Sequence, residues 1–208
     1  MHPTDKAILA SLFVSNLDPE VQGLKRLESK MLVEKDFYES RISMLKEHGF
    51  IEASDELKLT FIGRDALRVI LVGGVFDLIH PGHIHTLKAA KSHGDVLVVV
   101  VARTSTAMTI NKQRKIYHNE NLRRELVSSL SFVDIAIIGK EGTLYDTVEY
   151  VRPDIIALGY DQAHSEKDVA YNCQIRNLNV RVIRLNTPMP RTKSSNIKNE
   201  LGDSLYRL

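Results

Sequence analysis

Tryptophan is absent from the 208 residues and cysteine occurs once. Cys173 alone cannot close an internal bridge, and no Cys/His cluster has zinc spacing, so neither disulfides nor a structural metal is expected to hold the fold. Long apolar runs are missing too: the longest, Val96–Ala102, is about a third of what a helix needs to cross a bilayer. The start Met1-His2-Pro3-Thr4-Asp5 lacks the charged-then-apolar pattern of an export signal. A soluble, cytoplasmic chain with no membrane partner is therefore expected. Neither G-x-x-x-x-G-K-[ST] nor G-x-G-x-x-G occurs, which removes the Walker and dinucleotide signatures. What is present, 43% hydrophobic and 26% charged residues, suits one large domain or two small ones and excludes disorder and fibrous repeats.

Charge is unevenly spread. Residues 1–66 hold nine Lys/Arg against twelve Asp/Glu, net −3, whereas 67–208 hold nineteen against fourteen, net +5. In the first segment Ile8, Leu9, Leu12 and Phe13 share one face of a helix over Asp5–Asn16. Asp18-Pro19 is expected to open a second helix with proline in its first turn. A third, Lys35–His48, aligns Tyr38, Ile42 and Leu45 and stops at Gly49. Phe50–Glu52 and Leu57–Thr60 then predict two short strands around a polar wing. The run E-S-R-I-S-M-L-K-E-H-G-F-I-E with L-K-L-T-F-I-G-R resembles the third helix and wing of winged-helix domains, which implies a small winged-helix domain over 1–66.

The second segment, 67–208, alternates strand and helix. Apolar runs at Val69–Val72, Val96–Ala102, Val133–Ile138, Ile155–Leu158 and Val180–Leu185 are separated by helical stretches near His83–His93, Glu120–Leu130, Leu144–Val151 and Glu166–Asn177, with a last helix from about Ser194. Continuous rather than alternating hydrophobicity means strands buried on both faces, hence a doubly wound α/β fold with a five-stranded parallel sheet. Ligands of such sheets sit at the carboxyl ends of the strands. Arg64–Arg68 is the expected boundary, leaving almost no linker.

Gly73-Gly74-Val75-Phe76-Asp77-Leu78-Ile79-His80-Pro81-Gly82-His83 falls where the first strand turns into its helix. Glycines at 73, 74 and 82 allow close backbone approach, Pro81 suits a helix start, and the free N–H groups of that first turn favour an anion. His80 and His83, three apart, fall on one side of the turn. The positive end of a helix disfavours imidazolium and a bound phosphate favours it, so such rings can donate hydrogen bonds to a phosphoryl group as its charge builds. The plain alternative is a pair of capping or core histidines.

G-V-F-D-L-I-H-P-G-H resembles the G-x-F-D-x-x-H-x-G-H signature of the cytidylyltransferase-like nucleotidylyltransferases, in which a nucleoside triphosphate is joined to a phosphate-bearing acceptor. Six fixed positions match by accident at roughly 10⁻⁸ per site. Lys112, Arg114 and Arg123 align with a K-x-K-x-A-Y-H…R stretch that supplies cations to phosphates, although Lys112, Arg114 and Lys115 also fit a solvated loop. Arg191–Lys198 is similar to the family's S-[ST]-T-x-I-[RK] motif, placing Thr192, Ser194, Ser195 and Lys198 at the triphosphate tail, while ordinary N-capping by Ser194 fits equally. Leu158-Gly159-Tyr160-Asp161-Gln162 matches the segment where base and ribose rest. Departures are Val75 for a usual threonine, Lys193 and Asn196 in the last motif, and Gln162 where cytidylyltransferases often have tryptophan.

The resemblance implies His80, His83, Lys112 and Arg123 as catalytic residues. It implies nucleotide contacts from Gly74, Val75, Phe76, Asp77, Gly82, Arg114, Gly159, Asp161, Thr192, Ser194 and Ser195, with magnesium carried mainly by substrate phosphates and no protein metal site. Within the family, residues 69–200 most resemble the archaeal FAD synthases, through V-V-V-V-A-R, R-R-E-L-V-S-S-L-S-F-V-D-I-A-I-I-G and I-I-A-L-G-Y-D-Q. ATP and FMN are then the expected substrates. CTP transfer to glycerol 3-phosphate or another alcohol phosphate is the alternative, and a winged-helix regulator with a nucleotide-sensing domain a second. DNA binding is disfavoured because the first segment is net acidic, and a homodimer is a possible assembly.

Overall fold

His2 and Pro3 start the first helix, α1 (Pro3–Leu17), where the His2 ring Nδ1 accepts from the Thr4 N–H at 3.2 Å. The computed structural model describes residues 1–30, 35–110, 115–160, 162–186 and 197–198, and the chain divides into two compact units, Met1–Arg68 and Val69–Leu208. In the first, α1 buries Ile8, Leu9, Leu12 and Phe13, the face expected from their spacing. α2 (Gly23–Lys30) begins later than expected. Asp18 Oδ1 accepts from the Glu20 N–H and the Asp18 carbonyl from the Val21 N–H, so Asp18-Pro19 closes a turn instead of opening a helix. A Cβ on Gly23 would lie 2.2 Å from the Ser11 carbonyl oxygen, so only glycine lets α2 start this close to α1. In α3 (Lys35–Glu47) Arg41 grips the buried Asp5 of α1 through Nε and Nη2, at 2.7 and 2.5 Å. The expected pair of strands reduces to one antiparallel bridge, Ile51 with Leu59. Thr60 ends it by capping α4 (Phe61–Asp65), its hydroxyl accepting from the Gly63 N–H.

The second unit runs β1 (Val69–Gly74), α5 (Pro81–Lys91), β2 (Val96–Val101), α6 (Thr104–Ile110), α7 (Glu120–Ser128), β3 (Ile135–Ile138), α8 (Leu144–Val151), β4 (Ile155–Leu158), α9 (Glu166–Gln174) and β5 (Arg181–Arg184). All five strands are parallel, in the order β3-β2-β1-β4-β5. Every residue of β2 and β4 is buried, as their unbroken apolar runs require. Each such Val, Leu or Ile gains roughly 1.5–3 kcal/mol over leaving it exposed. β5 is the exception: an edge strand with a partly exposed face, which accommodates Arg181 and Arg184. β3 begins at Ile135 rather than Val133, because the Asp134 carboxylate accepts the Leu97 N–H and caps the neighbouring strand. Asp154 does the same for Val69. α6 was not legible in the sequence; its threonine-rich R-T-S-T-A-M-T-I has low helix propensity, but Thr104 donates to Glu120 and Ala107 is fully buried. The chain leaves β1 toward β2 on one side and has β4 on the other, so the end of β1 is the sheet's switch point.

Candidate active site

The segment from Gly73 to Gly82 lies at that switch point, where helix α5 opens with Pro81 in its first turn and His80 as N-cap in extended geometry. His80 and His83 stack, their ring centroids 3.9 Å apart and their planes 28° from parallel. Phe76 lies behind them, 5.3 Å from the His83 ring, and holds a left-handed backbone at φ 52°. Its buried ring occupies the space over Gly74, where a Cβ would come within 2.7 Å. Glycine at 74 thus makes room for the phenylalanine that braces His83. Beside His80 a depression of about 360 Å³ is walled by Ile79, Pro81, Ile84 and His85. His80 lines this space with only 9% of its surface exposed.

Asp77 ties three segments together. Its carboxylate accepts the backbone N–H groups of Tyr117 and His118 at 2.8–3.0 Å and pairs with the Lys198 ammonium. Burial opposes its ionisation, but the His118 N–H, Lys198 and the Tyr117 N–H outweigh that and hold its pKa below the ordinary value. The His118 ring Nδ1 lies 2.9 Å from the Asp77 carbonyl oxygen. Lys198 also donates to the Lys115 carbonyl at 2.6 Å. Asp77 and Lys198 therefore fasten Lys115, Tyr117 and His118 to the histidine loop.

Arg123 is placed differently from the phosphate contact the sequence suggested. It has no exposed surface, and its guanidinium donates to the carbonyls of His118, Val75 and Ala102 at 2.7–2.9 Å and to the Thr104 hydroxyl at 3.1 Å. Burial lowers its pKa, against the opposing pull of Asp77 and Glu120. Spent on four protein oxygens, it braces the loop after β1 and the end of β2, and Val75 contributes its carbonyl to this framework. Gly82 is buried in the first turn of α5. Gly159 follows β4 with its N–H bonded to the Gln162 side chain. Lys112, Arg114, Asp161, Thr192, Ser194 and Ser195 lie outside the described residues.

Gln162 stood in the motif after β4, whereas Arg184 escaped the sequence reading. Gln162 donates from Nε2 to the Gly73 carbonyl at 2.6 Å, linking the ends of β1 and β4. Arg184 binds the loop after β4 from the far side. The only signal for it was an arginine near the end of the run Val180–Leu185, which also holds Arg181. For magnesium, the described residues contain no group of three or more His, Cys, Asp or Glu placed to hold a metal, and the Asp77 carboxylate is already occupied.

Paired imidazoles at a helix N-terminus, set at the switch point of a parallel sheet in a net basic unit, are the equipment of a nucleotidyltransferase. Residues 71–200 match the cytidylyltransferase-like family, and the chain belongs to it. It is 48% identical over 116 residues to an FAD synthase of Aciduliprofundum boonei, spanning 56% of this chain and 76% of that protein. It is 46% identical over 126 residues to an FAD synthase of Picrophilus torridus, spanning 61% and 89%. A crystal structure from Thermoplasma volcanium, of a protein described as acting in lipopolysaccharide core biosynthesis, superposes with a TM-score of 0.56 at 44% identity over 58% of this chain and 98% of its own. No helix among the described residues is long and apolar enough to cross a membrane.

Proposed function

We propose that this chain is an FMN adenylyltransferase, making FAD and pyrophosphate from ATP and FMN. The reading is carried by the stacked His80 and His83 at the start of α5, in a stretch whose relatives at 46–48% identity are FAD synthases. An FMN phosphate oxygen attacks the α-phosphorus of ATP, and the bond from that phosphorus to the β-phosphate bridging oxygen breaks. The acceptor phosphate is already nucleophilic, so no covalent enzyme intermediate is needed. The protein's task is to hold two repelling anions in line and to meet the charge building on the α-phosphate oxygens. His80 and His83 donate there, aided by the N–H groups of the first turn of α5. Lys112 and Arg114 are assigned to the leaving group or the acceptor, and Thr192, Ser194 and Ser195 to the triphosphate tail. Asp161 and Gly159 belong to the nucleoside side, and magnesium arrives on the substrate phosphates.

Residues 1–66 are read as a winged-helix unit for contacts with protein, a second copy of the chain included, because their net charge of −3 opposes phosphate neutralisation on DNA. The test of the activity is a panel: ATP and CTP, each with FMN, glycerol 3-phosphate and other phosphomonoesters, followed by pyrophosphate release. ATP with FMN is expected to be the productive pair; turnover only with CTP and glycerol 3-phosphate sinks the proposal.

A further inference from the structure

We propose that Arg184 is a positioning residue for the nucleoside subsite, holding the loop after β4 in its binding shape. This rests on the reading above that the loop takes the nucleoside part of ATP. The geometry is unusually complete. Nη1 of Arg184 donates to the carbonyls of Gly159 and Gln162 at 2.9 and 3.1 Å. Nη2 donates to the His164 carbonyl at 2.5 Å and to Glu166 Oε2 at 2.8 Å, and Nε to Glu166 Oε1 at 2.9 Å. A guanidinium has five N–H donors, and each has an acceptor here. Three of those acceptors are carbonyls of a single loop.

The described residues of that loop belong to no strand or helix, so something must satisfy their backbone and fix their path. Arg184 does so from edge strand β5, and Glu166, in the first turn of α9, holds the guanidinium in a bidentate pair. From the other side the Gln162 amide bonds the Gly73 carbonyl at the end of β1 and accepts the Gly159 N–H at 3.1 Å. The loop is thus clamped between β1, which leads into the histidine motif, and β5. Ordering it beforehand removes an entropy cost from nucleotide binding. Lysine keeps the charge but offers three donors from one point, and cannot reproduce a fork spread over five acceptors.

The test compares wild type, Arg184→Lys and Gln162→Leu for ATP affinity by calorimetry without acceptor, for kcat and both KM values, and for melting temperature. Expected is a rise of about tenfold in both the ATP dissociation constant and the ATP KM, with kcat and the FMN KM within about threefold, the signature of lost uniform binding to one substrate. Unchanged ATP affinity in a folded Arg184→Lys overturns the proposal, as do proportionate losses in both KM values and kcat. Should Arg184→Lys fail to fold, Gln162→Leu decides, and wild-type ATP affinity in that variant is equally fatal. If wild type itself binds no ATP, the functional reading fails; if wild type binds ATP and the variants match it, only the role of Arg184 does.

Discussion

Replacing His83 by alanine removes one of two stacked rings without touching the strand beneath it. Turnover is expected to fall by about 10²–10⁴-fold, while the ATP dissociation constant moves by less than about tenfold; steady-state kinetics beside calorimetry separate the two, and unaltered turnover removes His83 from the chemistry. Asp77 acts at longer reach. Asp77→Asn keeps the shape but discards the charge that holds Lys198 and two backbone N–H groups, at an expected loss of roughly 1–3 kcal/mol, read by denaturant unfolding. The pH dependence follows from its lowered pKa. A depressed carboxylate stabilises the fold above its ordinary range and ceases to as pH falls through the lowered value. The stability advantage of wild type over Asp77→Asn should therefore be intact down to about pH 5 and shrink below it, as pH falls through the ordinary carboxylate pKa and then through the lowered one. A gap independent of pH would show that the charge plays no part. The histidine pair was legible because it lies in a short contiguous motif. The framework role of Arg123 was not, since an arginine in a basic stretch reads the same whether it faces phosphate or is sealed among carbonyls.

The junction of β1 and α5 is the element on which the site depends. Phe76 fills the space over Gly74 and braces His83, so Gly74→Ala should push the ring out of place. We expect kcat to drop by at least about tenfold with less effect on ATP affinity, and the second change Phe76→Leu to restore part of it by yielding room. No recovery in the double variant would mean that Gly74 serves the ligand directly. Strands β1 to β4 were visible in the sequence because burial on both faces leaves an unbroken apolar run. Helix α6 was hidden by its threonines, and the turn at Asp18-Pro19 mimicked a helix start. The loop after β4 was half legible. Its Gly159 and Gln162 stood out, but a clamp supplied by Arg184 from another strand depends on long-range geometry that no local pattern carries.

At the scale of the molecule, every residue proposed for catalysis belongs to one of two units. Val69–Leu208 contains the whole sheet and its buried cluster, and the Thermoplasma volcanium protein matches 58% of this chain with 98% of its own length. A chain of residues 69–208 should therefore fold and retain FAD synthesis within about tenfold of the full-length rate, a difference of about 1.4 kcal/mol or less in the barrier; an inactive but folded fragment would assign residues 1–68 to the site. For that first unit, a gel shift with mixed duplex at low salt should show no complex. FMN adenylylation is tested most directly with ATP labelled at the α-phosphorus and mixed with FMN and the full chain. Label should enter FAD, with one pyrophosphate released per FAD. Label recovered only as free AMP, or phosphate released without FAD, contradicts the account.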